Sequence, residues 1–179
     1  MLIALAVRLI IPDTTAVSAR RALRQAGLTE LVELRREVCW GFEVGDAGAA
    51  QDVADRLLAT DVLVNYNKHR GRWWAGELAA AQPPQPSVTR QWGALLVADR
   101  ADPEPGQMQR LLTTRLGFHA LRVRERATLW SIGVAGDEDA NQVAQRAARL
   151  LLANPHGQVA RLLTTGPSLD EGNVRPAVP

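Results

Sequence analysis

The sequence predicts an α+β fold in which one small unit is written twice. Three observations carry that expectation. Arg56–Asp61 reads RLLATD and Arg149–Pro155 reads RLLLANP, so Leu57-Leu58-Ala59 recurs 94 positions later as Leu151-Leu152-Ala153. At an offset of 90, Gly27 meets Gly117, Leu31 meets Leu121, Trp40 meets Trp130 and Val44 meets Val134. Finally, apolar residues follow the same order of strand-period and helix-period patterns in both halves. The change of offset from 90 to 94 places a gain of four residues in the loop around Gly136–Asp139.

In the first half Ile3, Leu5, Val7, Leu9 and Ile11 alternate as one face of a strand, which Pro12-Asp13 ends. Thr14 or Thr15 then serves as a helix cap, and Ala16, Ala19, Leu23 and Ala26 recur at helical spacing up to Gly27, a C-terminal stop. Leu31–Leu34 reads as a second strand. A turn at Arg35–Glu37 leads to a third, in which Val38, Trp40, Phe42 and Val44 alternate. Beyond the turn at Gly45–Gly48, Ala50, Val53, Ala54, Leu57 and Leu58 form a helical stripe. Val62, Val64 and Tyr66 close the unit as a last strand.

The second half repeats this order. Ala94–Ala98 is its first strand, and Met108, Leu111, Leu112 and Leu116 mark a helix ending at Gly117. Leu121–Arg124 and Thr128–Val134 form a hairpin. Ala140, Val143, Ala144, Ala147, Ala148 and Leu151 stripe the next helix, and Gln158–Leu163 is the closing strand.

The order βαββαβ, twice, is the ferredoxin-like arrangement: four antiparallel strands with two helices on one face. Such a layer leaves the other face of each sheet without cover, and a core of this size is marginal alone. The expectation is therefore two tandem units whose sheets pack on each other as a pseudo-dimer, with Trp40 and Trp130 in the core or between the sheets. The units span 1–69 and 92–165, with a Pro-containing linker over 70–91 and a flexible tail over 166–179. Trp73-Trp74 is expected to fold back from the linker onto a groove in the protein.

Composition excludes several classes of function. Hydrophobic residues are 46% and charged residues 22%, which is ordinary for a folded globular chain. The net charge of +2 is spread over both halves without a basic run, and the chain has five Trp, two Phe and one Tyr. Nucleic-acid binding, which needs basic patches and stacking aromatics, is not expected. Met1–Ile11 is apolar, but Arg8 interrupts it and it is too short to span a bilayer. No membrane association and a cytoplasmic location are expected.

No catalytic constellation stands out. A single cysteine, Cys39, permits no internal disulfide or thiolate zinc site, and it lacks a local base. His69, His119 and His156 have no ligand at metal-binding spacing, so neither metal nor cofactor is expected. GDAG at Gly45–Gly48 and GDEDAN at Gly136–Asn141 lack the lysine of a phosphate loop, and Asp46 and Asp139 read better as helix caps. NYNKHR, Asn65–Arg70, gathers polar donors at a strand end. Arg35, Arg36, Arg124 and Arg126 surround the two expected hairpin turns, as solvated turn charge or as an anion or partner site.

The run AVSARRALRQAGLTELVELRREVCWGFEV, with ADRLLAT and VLVNYNKHR after it, resembles the PurS family, the small subunit of phosphoribosylformylglycinamidine synthase. Ala22-Leu23 and Gly27 match that family's first helix end; Leu34-Arg35 and Val123-Arg124 match the start of its hairpin. Leu151–Pro155 matches its LLANP helix ending, and Asp102–Gly106 echoes a motif before the first helix that the first half lacks. The hairpin glycine and the basic residue after it are replaced by Glu37-Val38 and Arg126-Ala127. The resemblance covers residues 2–68 and 92–163. It implies two PurS-like units joined covalently, acting as a non-catalytic subunit that bridges the synthetase (PurL-type) and glutaminase (PurQ-type) subunits. It also adds Asn154 and Pro155 to the candidate partner contacts and allows a homodimer of the tandem chain. A small-molecule sensor built from paired ferredoxin-like domains is the alternative.

Overall fold

The protein is represented by a computed structural model that describes residues 1–84, Ser87, 89–136 and 138–163. The tail expected at 166–179 lies outside the described residues. The elements are β1 (Leu2–Leu9), α1 (Thr14–Gln25), β2 (Leu31–Val44), α2 (Ala50–Leu58), β3 (His69–Ala75), β4 (Arg90–Asp99), α3 (Glu104–Leu116), β5 (Leu121–Ala135), α4 (Ala140–Ala147) and β6 (Gln158–Leu163). All six strands form one antiparallel sheet, in the order β3-β1-β2-β5-β4-β6. The α+β class is as expected. Among the described residues no helix is long and apolar enough to cross a membrane.

The two hairpins expected near Arg35–Glu37 and Glu125–Ala127 do not form. β2 and β5 run unbroken for 14 and 15 residues. Alternation continues through the charged stretch, with Leu34, Arg36, Val38 and Trp40 on one face, and nothing there supplies a turn residue. The mid-strand charges on the buried parts of the sheet are tolerated because they have partners. Arg36 Nε donates to Asp13 at 3.0 Å, Arg126 to Asp102 at 3.3 Å, and Arg72 of β3 makes two hydrogen bonds to Glu37.

The sheets of the two halves consequently do not stack; they join edge to edge through β2 and β5. Leu31 pairs with Val134 and Val44 with Leu121, while Val38 faces Thr128, its own counterpart at the offset of 90. That register places a pseudo-twofold axis through the Val38–Thr128 pair. Each half's inner strands keep the same register too: Leu2 faces Glu43 in β1–β2, and Trp92 faces Gly133 in β4–β5.

The cores show the same repeat. One contains Leu5, Val7, Trp40, Phe42 and Val44 under Ala50, Ala54 and Leu57 of α2. The other contains Leu95, Val97, Trp130, Ile132 and Val134 under Ala140, Ala144 and Ala147 of α4. Trp40 and Trp130 are thus core residues. Neither core belongs to one half. Leu112, Phe118, Leu121 and Val123 of the second half complete the first core, and Leu23, Leu28, Leu31 and Leu34 of the first half complete the second. Each such leucine contributes about 1.5–3 kcal/mol of burial.

The last strand of the first half is β3, not Val62–Tyr66, which lies in the connection before it. β3 takes up residues 70–75 of the expected linker. Its alternation sends Trp73 to the first core and Trp74 to the opposite face of the sheet. The gain of four residues is also elsewhere than expected, because Ala50 and Ala140 start their helices in register at 90. The second helix instead runs on through a π-helical stretch, Ala148–Leu152, whereas the first half spends its extra residues after α2. The repeated Leu-Leu-Ala therefore marks the helix end in both halves, about one turn later in the second.

All four helices lie on one face. On the other, Ala4, Ala6, Cys39, Ala94 and Ala127 are small enough for a strap after β3 to lie close, with Leu78 and Ala81 buried against them. Residues 78–81 of the expected linker thus cover part of the second face. At Gly93 the approach of α4 is closest: a Cβ there would stand 2.4 Å from the Ala140 carbonyl oxygen. Gly93→Ala is expected to destabilise the chain by about 2 kcal/mol, seen as a melting temperature lower by about 5 °C. A fragment ending at Pro84 is expected to show no folded monomer by circular dichroism and sedimentation, since its core lacks Leu112, Phe118 and Leu121.

Candidate functional site

Strand alternation decides which of the candidate arginines meet. Arg36 and Arg126 come to the helix-bearing face on either side of the pseudo-twofold axis, where Arg36 faces Trp130 and Arg126 faces Trp40 across the seam. The Arg126 guanidinium lies 5.7 Å from the Trp40 ring centroid. Arg35 points to the opposite face, where it pairs with Glu33 at 2.6 Å and stacks over Trp92 at 4.7 Å. Arg124 sits at an irregularity of β5 and pairs with Glu43 at 3.0 Å. The four do not form one anion site.

Asp13 and Asp102 are the acidic partners the sequence reading missed. Asp13, rather than Thr14 or Thr15, is the N-cap of α1: its Oδ1 accepts from the Thr15 and Ala16 N–H groups at 3.0 and 3.1 Å, leaving Oδ2 for Arg36. Asp102 accepts from the Glu104 N–H at 2.9 Å and from Arg126. The first half therefore does hold a counterpart of the Asp102 motif, reduced to Asp13. Its signal was an aspartate between a strand and a helix, near each half's start. Asp46 and Asp139 cap as expected, Asp139 from the Asn141 and Gln142 N–H groups.

Asn154 and Pro155 lie in an exposed turn that leads into β6. Asn154 Oδ1 accepts from the His156 N–H at 3.0 Å, and the Asn154 N–H donates to Gln158 Oε1 at 2.8 Å. The same turn precedes β3: Asn65 Oδ1 accepts from the Asn67 N–H at 3.1 Å, and the Asn65 N–H donates to His69 Nδ1 at 3.1 Å. Asn65, not a residue of RLLATD, is the structural counterpart of Asn154. The polar run NYNKHR is explained by this turn.

One cleft of about 210 Å³ opens beside the axis on the helix face. Leu9, Val38, Trp40, Val62 and Met108 supply apolar wall, and Asp13, Arg36 and His69 are its polar groups. Only Nε of Arg36 is engaged, so its two terminal nitrogens have no partner among the described residues. His69 Nδ1 accepts from the backbone, which leaves Nε2–H as the ring's free donor.

Among the described residues, no three His, Cys, Asp or Glu side chains gather as metal ligands. Cys39 is fully buried under the strap, and burial, helped by the negative charge of Glu37, pushes its thiol up to about 12. At pH 8 it holds almost no thiolate, the reactive form. Thiol reagents are therefore expected to leave the native chain unmodified at pH 8 and to label one site per chain once it is unfolded, read by mass spectrometry. Compared with known proteins, the chain matches no family model, no curated protein and no solved structure.

Proposed function

We propose that the chain is a non-catalytic assembly subunit of the phosphoribosylformylglycinamidine synthase complex, two PurS-like units joined covalently that bridge the glutaminase and synthetase subunits. The observation that carries this is the seam. β2 and β5 unite the halves as two copies of a small subunit would unite in a symmetric dimer, each completing the other's core.

Duplication gives such a bridge two matching corners that can differ in sequence. The Asn65 and Asn154 turns lead into β3 and β6, the two outer strands of the sheet. They share a backbone hydrogen-bond scheme but present different surfaces: Tyr66, 48% exposed, at one corner and Pro155 at the other. One corner meets the glutaminase and the other the synthetase, so that a single chain holds two unlike partners. Arg124, whose pair with Glu43 is half exposed, adds charge to the outer surface.

Reconstitution tests this. With the chain, the synthetase and glutaminase should co-purify and use glutamine. Without it, activity with ammonia should persist while activity with glutamine falls. Tyr66→Arg and Pro155→Arg should each release a different partner. Undiminished glutamine-dependent activity when the chain is omitted would overturn the proposal.

A further inference from the structure

The geometry points to a binding site for a small monocarboxylate with an apolar body in the cleft of the first half, an inference independent of the assembly role. The cleft joins an apolar wall, Leu9, Val62 and Met108, to the face of Trp40 and to two donors without protein partners, the Arg36 terminal nitrogens and His69 Nε2. At about 210 Å³ it is smaller than the roughly 300–1,000 Å³ of pockets for drug-sized ligands, so its occupant is small. The free edge of a guanidinium is a planar two-pronged donor that fits a carboxylate. Asp13, 3.0 Å from the same guanidinium, opposes a second negative charge and so selects against a phosphate dianion.

The duplication supplies an internal comparison. In the register of the edge strands, Leu9 faces His69 and Asp99 faces Gln158. Gln158 holds its turn just as His69 does, through the Asn154 N–H, but its Nε2 donates to Asp99 at 2.7 Å. Val38, which lines the cleft, has Thr128 as its counterpart. The second half thus replaces an apolar wall and a free donor with a hydrogen-bonded polar pair and an added negative charge. Only the first half keeps the features that an apolar anion needs. The histidine is not required by the turn, since glutamine makes the same bond.

The test uses the full chain and follows the Arg36 and His69 side-chain resonances by NMR. Phenylacetate and isovalerate should produce saturable shifts, while phenylacetamide and inorganic phosphate should bind at least about tenfold more weakly. The double variant L9D/H69Q, which copies the second half's pair, should lose about tenfold or more in phenylacetate affinity with an unchanged melting temperature. If that variant melts lower, R36K, which keeps the charge beside Asp13 but loses the fork, must show the loss instead. An acetylated tetrapeptide ending in phenylalanine distinguishes a chain terminus from a free acid as the source of the carboxylate. Absence of saturable binding, equal binding of the amide or phosphate, or undiminished binding by the variants would overturn the inference.

Discussion

The antiparallel pairing of β2 with β5 is the constraint on which the rest of the molecule depends. Because these strands are long and pair around Val38 and Thr128, each half's first helix is carried over the partner's end of the sheet. The apolar surface is then divided between two cores that each need both halves. A unit of some 80 residues is marginal as an independent fold. Sharing the cores lets two such units reach the size of one ordinary domain, at the condition that the seam never opens. Helix-to-loop contacts reinforce it: Arg146 of α4 pairs with Glu30, and Arg56 of α2 stacks 4.5 Å over Phe118.

Charges in the middle of a buried strand would ordinarily oppose such a seam. Here they tie other parts to it. On the helix face, Arg36 and Arg126 draw in Asp13 and Asp102, which fix where α1 and α3 begin. On the other face Glu37 holds Arg72, whose NH2 group also donates to the Gln82 carbonyl of the strap at 3.3 Å. Arg72 therefore links β2, the edge strand and the strap that covers Cys39 and the alanines. Burial lowers the tendency of Arg72 to stay charged, but its bonds to Glu37 outweigh that and raise its pKa.

Much of this was legible in the sequence, and its failures have physical causes. The repeated pattern, the helices and the first strands are written in local periodicity, which needs no knowledge of the partner half. The continuous long strands were not legible, because Arg35-Arg36-Glu37 has the look of an exposed turn until its acidic partners, distant in sequence, are known. β3 was missed for a related reason. HRGRWWA has no apolar–polar alternation, since both of its tryptophans are wanted, one on each face of the sheet. Among the candidate site residues, Arg36 was found by its charge. His69 and Asp13 became meaningful only when the fold brought them to the same cleft.

Where the halves differ is the more informative part of the repeat. Several positions in the seam and the cores are the same in both halves: leucine at 31 and 121, tryptophan at 40 and 130, alanine at 50 and 140. Other positions have separated, in the cores as well as at the surface. Gly93 lets α4 close on β4, whereas Ile3 stands at the matching place in β1, under α2. Leu9 and His69 answer to Asp99 and Gln158, and Tyr66 answers to Pro155. The unequal pairs at Leu9, His69 and Tyr66 lie at the cleft and on an exposed turn, so the symmetry of the scaffold and the asymmetry of its surface follow from separate demands.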